Sequence, residues 1–140
     1  MTNLFKKAAW FTDIHYGMRN NARQHNVDCD EFIDWFIQEA KDKGCETCIF
    51  GGDWHHNRAS LNISTMKYSL AGLRKLNNSF EKVYFILGNH DLFYRETRDT
   101  NSVEFAKELP NVVLIDDKLV EPTINGVWFF VLHKLWKKFA

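Results

Sequence analysis

Short apolar runs alternate with longer amphipathic segments along this chain of 140 residues. Three of the runs have the length and composition of buried strands: "KKAAWFTD", "ETCIFGGD" and "EKVYFILGNHD". Two more strands are predicted closer to the carboxyl end, in "VVLI" and "GVWFFVL". Because helical patterns separate the first strands, the sequence predicts βαβ units, and hence a largely parallel sheet with helices on both faces.

Two amphipathic helices are predicted between these strands. The first, "DCDEFIDWFIQEAKDKG", has acidic residues in its first turn and ends at Gly44; its apolar stripe comprises Phe32, Ile33, Phe36, Ile37 and Ala40. The second begins after a predicted N-cap, Ser60, and its apolar stripe comprises Leu61, Met66, Leu70, Leu73 and Leu76. "YGMRNNARQHN" has no periodicity and is predicted to be a polar loop, and "SVEFAKELPN" predicts a short helix that Pro110 closes.

Composition and charge fit a folded domain and narrow the range of partners. Eighteen basic residues balance eighteen acidic ones, so no overall basic character indicates a nucleic acid. No apolar run approaches the roughly 20 residues of a membrane span, and the amino-terminal apolar stretch is too short for a signal peptide. We therefore expect no membrane association and a cytoplasmic location. An odd, low count of cysteines (Cys29, Cys45 and Cys48) predicts reduced thiols.

Polar residues close each of the first three predicted strands. Asp13 and His15 end the first strand in "TDIH", and Asp53 ends the second in "GGDWHH". Parallel α/β sheets bind ligands at the carboxyl ends of their strands, so these side chains are expected at one edge. In extended backbone Asp13 and His15 would point to the same side, where they could share a cation. Asp53 follows two glycines, and its two carboxylate oxygens could bridge two cations.

The third predicted strand ends in "LGNHD". Asn89 offers a neutral carbonyl oxygen, His90 titrates near neutral pH, and Asp91 could orient the His90 ring. Each cluster also has an ordinary explanation, namely a solvated loop, a helix-capping aspartate or a polar turn. Tyr16 and Trp54, beside these motifs, are open to two interpretations: stacking on nucleic-acid bases or packing in the core.

Together the three motifs resemble the calcineurin-like metallophosphoesterase superfamily, in which Asp-x-His, Gly-Asp and Gly-Asn-His-Asp close successive strands. Within it, "GGDWHHNRASLNISTMKYSL" is similar to the SbcD-type DNA repair and recombination nucleases, where a short basic-polar segment, a serine and a helix follow Gly-Asp-x-x-His. "HYGMRNNARQHNVDCDEF" also looks like that branch. The resemblance implies an α/β fold, a layered metallophosphoesterase-like sheet with βαβ units and flanking helices.

The resemblance also implies two divalent cations, usually manganese. Asp13 and His15 would then bind the first cation, Asp53 would bridge the two, and Asn89 would bind the second. The ligand chemistry agrees, because a mixed set of carboxylate, amide and imidazole donors suits Mn²⁺ better than an ion that prefers thiolates.

Catalytic roles are implied by the same resemblance. His90, held by Asp91, would steady the transition state or protonate the leaving oxygen. His56 matches the histidine of Gly-Asp-x-x-His and would place the substrate phosphate, whereas His55 has no counterpart. Arg58 is either a contact to DNA phosphates or a solvated loop residue.

The superfamily supplies further histidine ligands after Gly-Asn-His, and this chain lacks them in recognisable form. Only His133, in "FFVLHKLWKKFA", follows Asp91, and it could imitate a missing ligand. Residues 1–140 are therefore interpreted as the N-terminal part of a metallophosphoesterase nuclease domain, apparently truncated, with an incomplete second metal site. A sheet edge left open would favour association, so a homodimer is also considered.

The sequence thus predicts a metal-dependent phosphodiesterase, specifically a DNA exonuclease or endonuclease subunit resembling SbcD. It would act in DNA repair or recombination with an SbcC-like ATPase subunit. Two alternatives stay open. One is a phosphoesterase that acts on nucleotides or phosphoproteins, and the other is a catalytically silent remnant without the C-terminal metal-binding histidines.

Overall fold

Four short strands form one parallel sheet. The computed structural model describes residues 5–57, 61–86, 104–115, 118–123 and 126–131. The strands are β1 (Ala8–Phe11), β2 (Thr47–Phe50), β3 (Lys82–Ile86) and β4 (Val112–Ile115), and they lie side by side in that order. The pairing of β1, β2 and β3 puts Phe11, Phe50 and Phe85 in one row, with ring centroids 4.9 and 4.7 Å apart. The predicted α/β class with parallel βαβ units is confirmed.

Helices connect the first three strands. A single turn, α1 (Met18–Asn21), precedes α2 (Arg23–Asp42), which leads to β2; α3 (Ile63–Ser79) then leads from β2 to β3. Residues Glu104–Glu108 form a 3₁₀ helix where the sequence predicted a short helix. Both long helices were predicted, and Gly44, with a φ of 71°, follows the end of α2 as expected.

The amino-terminal end of α2 was predicted wrongly. The helix begins at Arg23 rather than at the acidic segment, its first turn holds no acidic residue, and the predicted loop over 23–26 is helical. Asn26 is fully buried there: its Oδ1 accepts from the Gly17 backbone N–H at 2.9 Å, and its Nδ2 donates to Thr65 Oγ1 at 2.9 Å. The buried contacts of this first turn are made by a polar side chain. The pattern of apolar residues therefore did not indicate that the helix begins here.

The start of α3 also differs from the prediction. Its N-cap is Asn62, whose Oδ1 accepts from the backbone N–H of Ser64 at 2.8 Å; the predicted cap, Ser60, lies outside the described residues. The buried face is more polar than the predicted leucine stripe and comprises Thr65, Ser69, Gly72, Leu73, Leu76 and Asn77. Small and polar residues let α3 lie close to the loops that follow β1 and β2.

Both long helices pack on the same face of the sheet. The main core joins the phenylalanine row to Ile33 and Phe36 of α2 and to Leu73 of α3. On the opposite face a smaller cluster comprises Ile49, Tyr84 and Ile115 with the partly buried Phe5, and no helix residue belongs to it. The predicted cover of helices on both faces is therefore not seen in the described part of the chain.

A separate antiparallel hairpin follows the sheet. It pairs β5 (Lys118–Thr123) with β6 (Gly126–Val131). The sequence predicted β6 but not β5, because "KLVEPT" contains two charges and a proline and has no clear strand pattern.

Candidate metal centre

Asp13, His15 and Asp53 come together at the carboxyl ends of β1 and β2. His15 Nε2 lies 3.4 Å from Asp13 Oδ1 and 3.8 Å from Asp53 Oδ2. One donor atom from each residue falls within 4.8 Å of the other two. The Asp13 side chain is 57% exposed, whereas those of His15 and Asp53 are 15% and 18% exposed. The cluster thus opens to solvent on the side of Asp13.

The backbone reaches this arrangement by an unexpected route. Asp13, His15 and Asp53 all adopt left-handed conformations, with φ of 58°, 53° and 60°. The extended backbone predicted for Asp13 and His15 is therefore wrong, although the predicted meeting of their side chains is correct. A left-handed backbone is unfavourable for residues other than glycine and is held here by its surroundings.

Backbone hydrogen bonds join the loop that follows β1 to the loop that follows β2. Asp13 N–H donates to Gly52 O at 2.9 Å, and His15 N–H donates to Asp53 O at 3.1 Å. Tyr16 N–H then donates to Trp54 O at 2.8 Å. This ladder ties the position of the first two predicted ligands to that of the third.

Gly51 permits the close approach of the two loops. A Cβ atom at this position would lie 2.8 Å from Thr12 Oγ1 and 2.9 Å from Trp10 Nε1, which is too close for any side chain. Gly52 has a φ of 114°, a conformation that L-amino acids rarely adopt. The close approach of the loops at Gly51 and the backbone conformation of Gly52 therefore explain why glycine occupies both positions before Asp53.

The start of α2 supports the strained loop from behind. His25 Nε2 donates to the backbone carbonyl oxygen of His15 at 2.9 Å. Four residues on, the buried Cys29 thiol donates to the carbonyl oxygen of Ile14 at 3.4 Å. The sequence did not single out His25, because its segment was predicted to be a loop and the His-x-x-x-Cys spacing alone has no diagnostic value.

His56, predicted to place the substrate phosphate, is in contact with the cluster. Its Nδ1 lies 3.4 Å from His15 Nδ1, and the two rings meet edge to face with centroids 5.4 Å apart. The loop places His56 here through its backbone N–H, which donates to Tyr16 O at 2.9 Å. The histidine pair is thus part of the site geometry.

His55 has a structural place that the sequence did not indicate. It is fully buried, and its Nε2 lies 2.5 Å from Ser69 Oγ of α3. Trp54 Nε1 donates to the same hydroxyl at 2.8 Å, so Ser69 is hydrogen-bonded to both buried side chains. Burial lowers the pKa of His55 to about 3, which keeps the ring neutral. Tyr16 and Trp54 are fully buried, which identifies them as core residues.

Five residues singled out by the sequence lie outside the described residues: Asn89, His90, Asp91, Arg58 and His133. The first three follow β3, which ends at Ile86 beside β2 in the same parallel sheet. Their roles stay predictions.

The donors in the described cluster fit a divalent cation of the Mn²⁺ type. Two carboxylates and one imidazole supply oxygen and nitrogen donors, which such cations prefer to thiolates. A span of 4.8 Å is close to twice a metal–ligand bond of about 2.1 Å, so one ion can contact all three residues with small side-chain adjustments. The described part of the chain thus holds three of the predicted ligands.

Comparison with known proteins agrees with this geometry. The family model of the calcineurin-like phosphoesterases matches residues 6–137. Exonuclease subunit 1 of Enterobacteria phage T4 is 31% identical over 81 residues, which are 57% of this chain and 24% of that protein. The crystal structure of the Pseudomonas putida nuclease MPE shares the fold with a TM-score of 0.51 and 20% identity, over 81% of this chain and 50% of that one. This chain thus spans about a quarter of the length of the phage T4 protein and about half of the length of the nuclease MPE. The predicted resemblance to the superfamily is confirmed, and the chain belongs to the calcineurin-like phosphoesterase family.

Proposed function

We propose that this chain forms part of a nuclease, a phosphodiesterase that requires divalent cations and cleaves DNA, with Mn²⁺ as the preferred cation. The observation that carries the proposal is the cluster of Asp13, His15 and Asp53 at the carboxyl ends of adjacent parallel strands. Family membership supports a phosphoester substrate. The names of the similar proteins, an exonuclease subunit and a nuclease, support a nucleic acid.

In this proposal Asp13 and His15 would hold one cation, and Asp53 would be shared with a second. Bound cations would neutralise charge on the phosphodiester and lower the pKa of the attacking water. Asp53 is suited to the bridging position because it is less exposed than Asp13 and is tied to the first loop by its own carbonyl group. The ladder between the loops fixes the spacing of the ligands before any cation arrives, which reduces the cost of binding it.

The histidine pair provides a donor for the substrate phosphate. With a cation bound at His15 Nε2, the ring hydrogen of His15 would stand on Nδ1, which lies 3.4 Å from His56 Nδ1 and could donate to it. If His56 accepts this hydrogen bond at Nδ1, a neutral ring would carry its own hydrogen on Nε2. An N–H group in that position can donate to a phosphate oxygen, which supports the substrate-placing role of His56.

Four residues complete the proposed mechanism from outside the described part of the chain. Asn89 binds the second cation, and His90, oriented by Asp91, stabilises the transition state or protonates the leaving oxygen. Arg58 is proposed to contact a DNA phosphate.

Several broader assignments belong to the same proposal. Residues 1–140 are proposed to belong to a nuclease domain resembling SbcD, which acts in DNA repair or recombination beside an SbcC-like ATPase or as a homodimer. A cytoplasmic location stays a prediction. None of the helices in the described part of the chain combines the length and apolar character needed to cross a bilayer.

The test is a titration of Mn²⁺ into the purified chain by calorimetry, followed by cleavage assays on single- and double-stranded DNA and on a small phosphodiester. We expect Mn²⁺ binding and DNA cleavage, and loss of both in Asp53→Asn. Asp42→Asn serves as the control, because Asp42 ends α2 and is exposed. Cleavage of the small ester alone would favour a phosphoesterase on nucleotides or phosphoproteins. If the chain neither binds Mn²⁺ nor cleaves any of these substrates, the result would support the alternative of a catalytically silent remnant.

A further inference from the structure

A cavity of about 270 Å³ adjoins the metal centre. It lies between the end of β1 and the first half of α2, and Asp13 forms part of its wall as well as part of the cluster. Its apolar surface comes from Ile14, Cys29 and Phe32. This volume lies just below the roughly 300–1,000 Å³ of small-molecule pockets, so the cavity has room for a single base rather than for a length of strand.

Phe32 gives the cavity an aromatic wall. Its ring is held against Phe11 and Phe36, with centroids 5.5 and 6.1 Å away, and the residue is still 37% exposed. Tyr16 and Trp54, the aromatic residues nearest the sequence motifs, are fully buried and cannot stack on a ligand. A ring that is fixed and accessible is what base stacking requires, and such stacking is worth about 1–3 kcal/mol per base.

The polar groups of the wall exclude two other ligands. Asp13 and Asp28 place carboxylates there, which would repel a phosphate. A cation is disfavoured because the wall is largely apolar and Asp28 does not belong to the donor cluster. His25, also in the wall, already donates its Nε2 hydrogen to His15 O. The wall of the cavity therefore favours a ligand that is flat and largely apolar and that carries N–H groups along one edge.

We propose that this cavity binds a nucleobase of the DNA strand whose phosphodiester lies at the metal centre. The inference rests on the proposed function and adds a base subsite to it. Asp28 is exposed and its carboxylate only accepts hydrogen bonds, so it favours a base with an exocyclic amino group. Adenine, cytosine and guanine have such a group, whereas thymine offers only its ring N3–H, so the subsite is expected to bind thymine more weakly.

The first test needs neither metal nor catalysis. Deoxyadenosine is titrated into the metal-free chain while the ¹³C methyl resonances of Ile14 are followed by NMR, with those of Ile63, which is 90% exposed on α3, as the internal reference. We expect a saturable shift at Ile14 only, a weaker one with thymidine and none with deoxyribose.

Phe32→Ala should weaken binding at least fivefold. Trp10→Ala, which truncates an exposed aromatic residue of β1 outside the cavity, should not. Absence of a shift with millimolar deoxyadenosine overturns the proposal.

The second test separates the base subsite from the nuclease activity. In the presence of Mn²⁺, an oligonucleotide is compared with versions that carry one abasic residue at each position in turn, on the wild type and on Phe32→Ala. One abasic position should lower kcat/KM at least fivefold on the wild type and leave Phe32→Ala unchanged, since both changes remove the same contact. Cleavage without this coupling would overturn the subsite and leave the nuclease proposal intact. A saturable shift at Ile14 without any cleavage would support the base subsite and overturn the nuclease proposal.

Discussion

The imidazole of His25 and the backbone carbonyl of His15 are joined by a hydrogen bond of 2.9 Å, and this bond links α2 to the metal centre. His15 has a left-handed backbone that must be held in place, and its side chain faces both carboxylates of the cluster. His25 therefore acts as a positioning residue that does not itself reach the proposed cation. Groups that orient metal ligands in this way are worth about 10–100-fold in metal affinity.

We expect His25→Ala to weaken Mn²⁺ binding about tenfold in calorimetry, because the carbonyl of His15 loses its side-chain donor and keeps only the Met18 backbone N–H, 3.1 Å away, among the described residues. His25→Gln keeps a side-chain N–H and should fall between the variant and the wild type. Gln24→Ala is the control, since Gln24 is exposed and its side-chain amide donates to the carboxylate of Asp28. A lower melting temperature with unchanged Mn²⁺ affinity would show that His25 supports the fold alone.

Ser69 is expected to be important for stability because two buried side chains share its hydroxyl. In Ser69→Ala both Trp54 and His55 lose this partner, at about 1–3 kcal/mol for each buried polar group. We expect the free energy of unfolding, measured with urea, to fall by about 2 kcal/mol or more. Ser64→Ala is the matched control at an exposed position of the same helix and should change it by less than about 0.5 kcal/mol. Equal effects of the two substitutions would contradict this account.

Gly72 is expected to tolerate no side chain. A Cβ there would lie 2.6 Å from the hydroxyl of Tyr16, whose ring is fully buried against Trp54. Gly72→Ala should therefore lower the free energy of unfolding by about 1–2 kcal/mol, despite the better helix propensity of alanine. Lys67→Ala, at an exposed site on α3, is the control.

Tyr16→Phe is expected to relieve that clash. The Tyr16 hydroxyl is buried and has no hydrogen-bond partner among the described residues, so its removal alone should be neutral or stabilising. Combined with Gly72→Ala, it should restore most of the lost stability in the same urea measurement. A double variant no more stable than Gly72→Ala would show that the crowding lies elsewhere.

The three thiols should differ in reactivity. Burial raises the pKa of Cys29 to about 12 and raises that of Cys48 as well, so neither forms a thiolate near pH 8. Cys45 is only half-buried. A disulfide-exchange reagent at pH 8 should label one thiol in the folded chain, none in Cys45→Ser, and all three of the wild type in denaturant. Rapid labelling of Cys29 in the folded chain would mean that α2 opens readily.

Local sequence signals were sufficient for the elements that depend on apolar periodicity. The runs that become β1, β2 and β3 and the stripes of the two long helices follow from neighbours a few residues apart. The meeting of Asp13, His15 and Asp53 was predictable too, because adjacent parallel strands end at one edge of the sheet. The fold class, the strands of the parallel sheet and the core of the site could thus be predicted without a structure.

Polar contacts between distant residues could not be predicted in the same way. The first turn of α2 is set by Asn26, whose partner Thr65 lies 39 residues away, so no local pattern marks it. The role of His55 depends on Ser69 of another helix, and in isolation His55 and His56 are indistinguishable. The left-handed backbone of the cluster residues arises from the ladder between two loops.

The sequence by itself determined which residue types stand at the strand ends and which elements carry them there. Only the tertiary structure decided that α2 holds the His15 loop through His25, and that Phe32 rather than Tyr16 or Trp54 presents an accessible aromatic ring. The physical reason is the range of the interactions. Apolar periodicity is a property of one segment, whereas burial and hydrogen-bond partnership arise only when separate segments pack together.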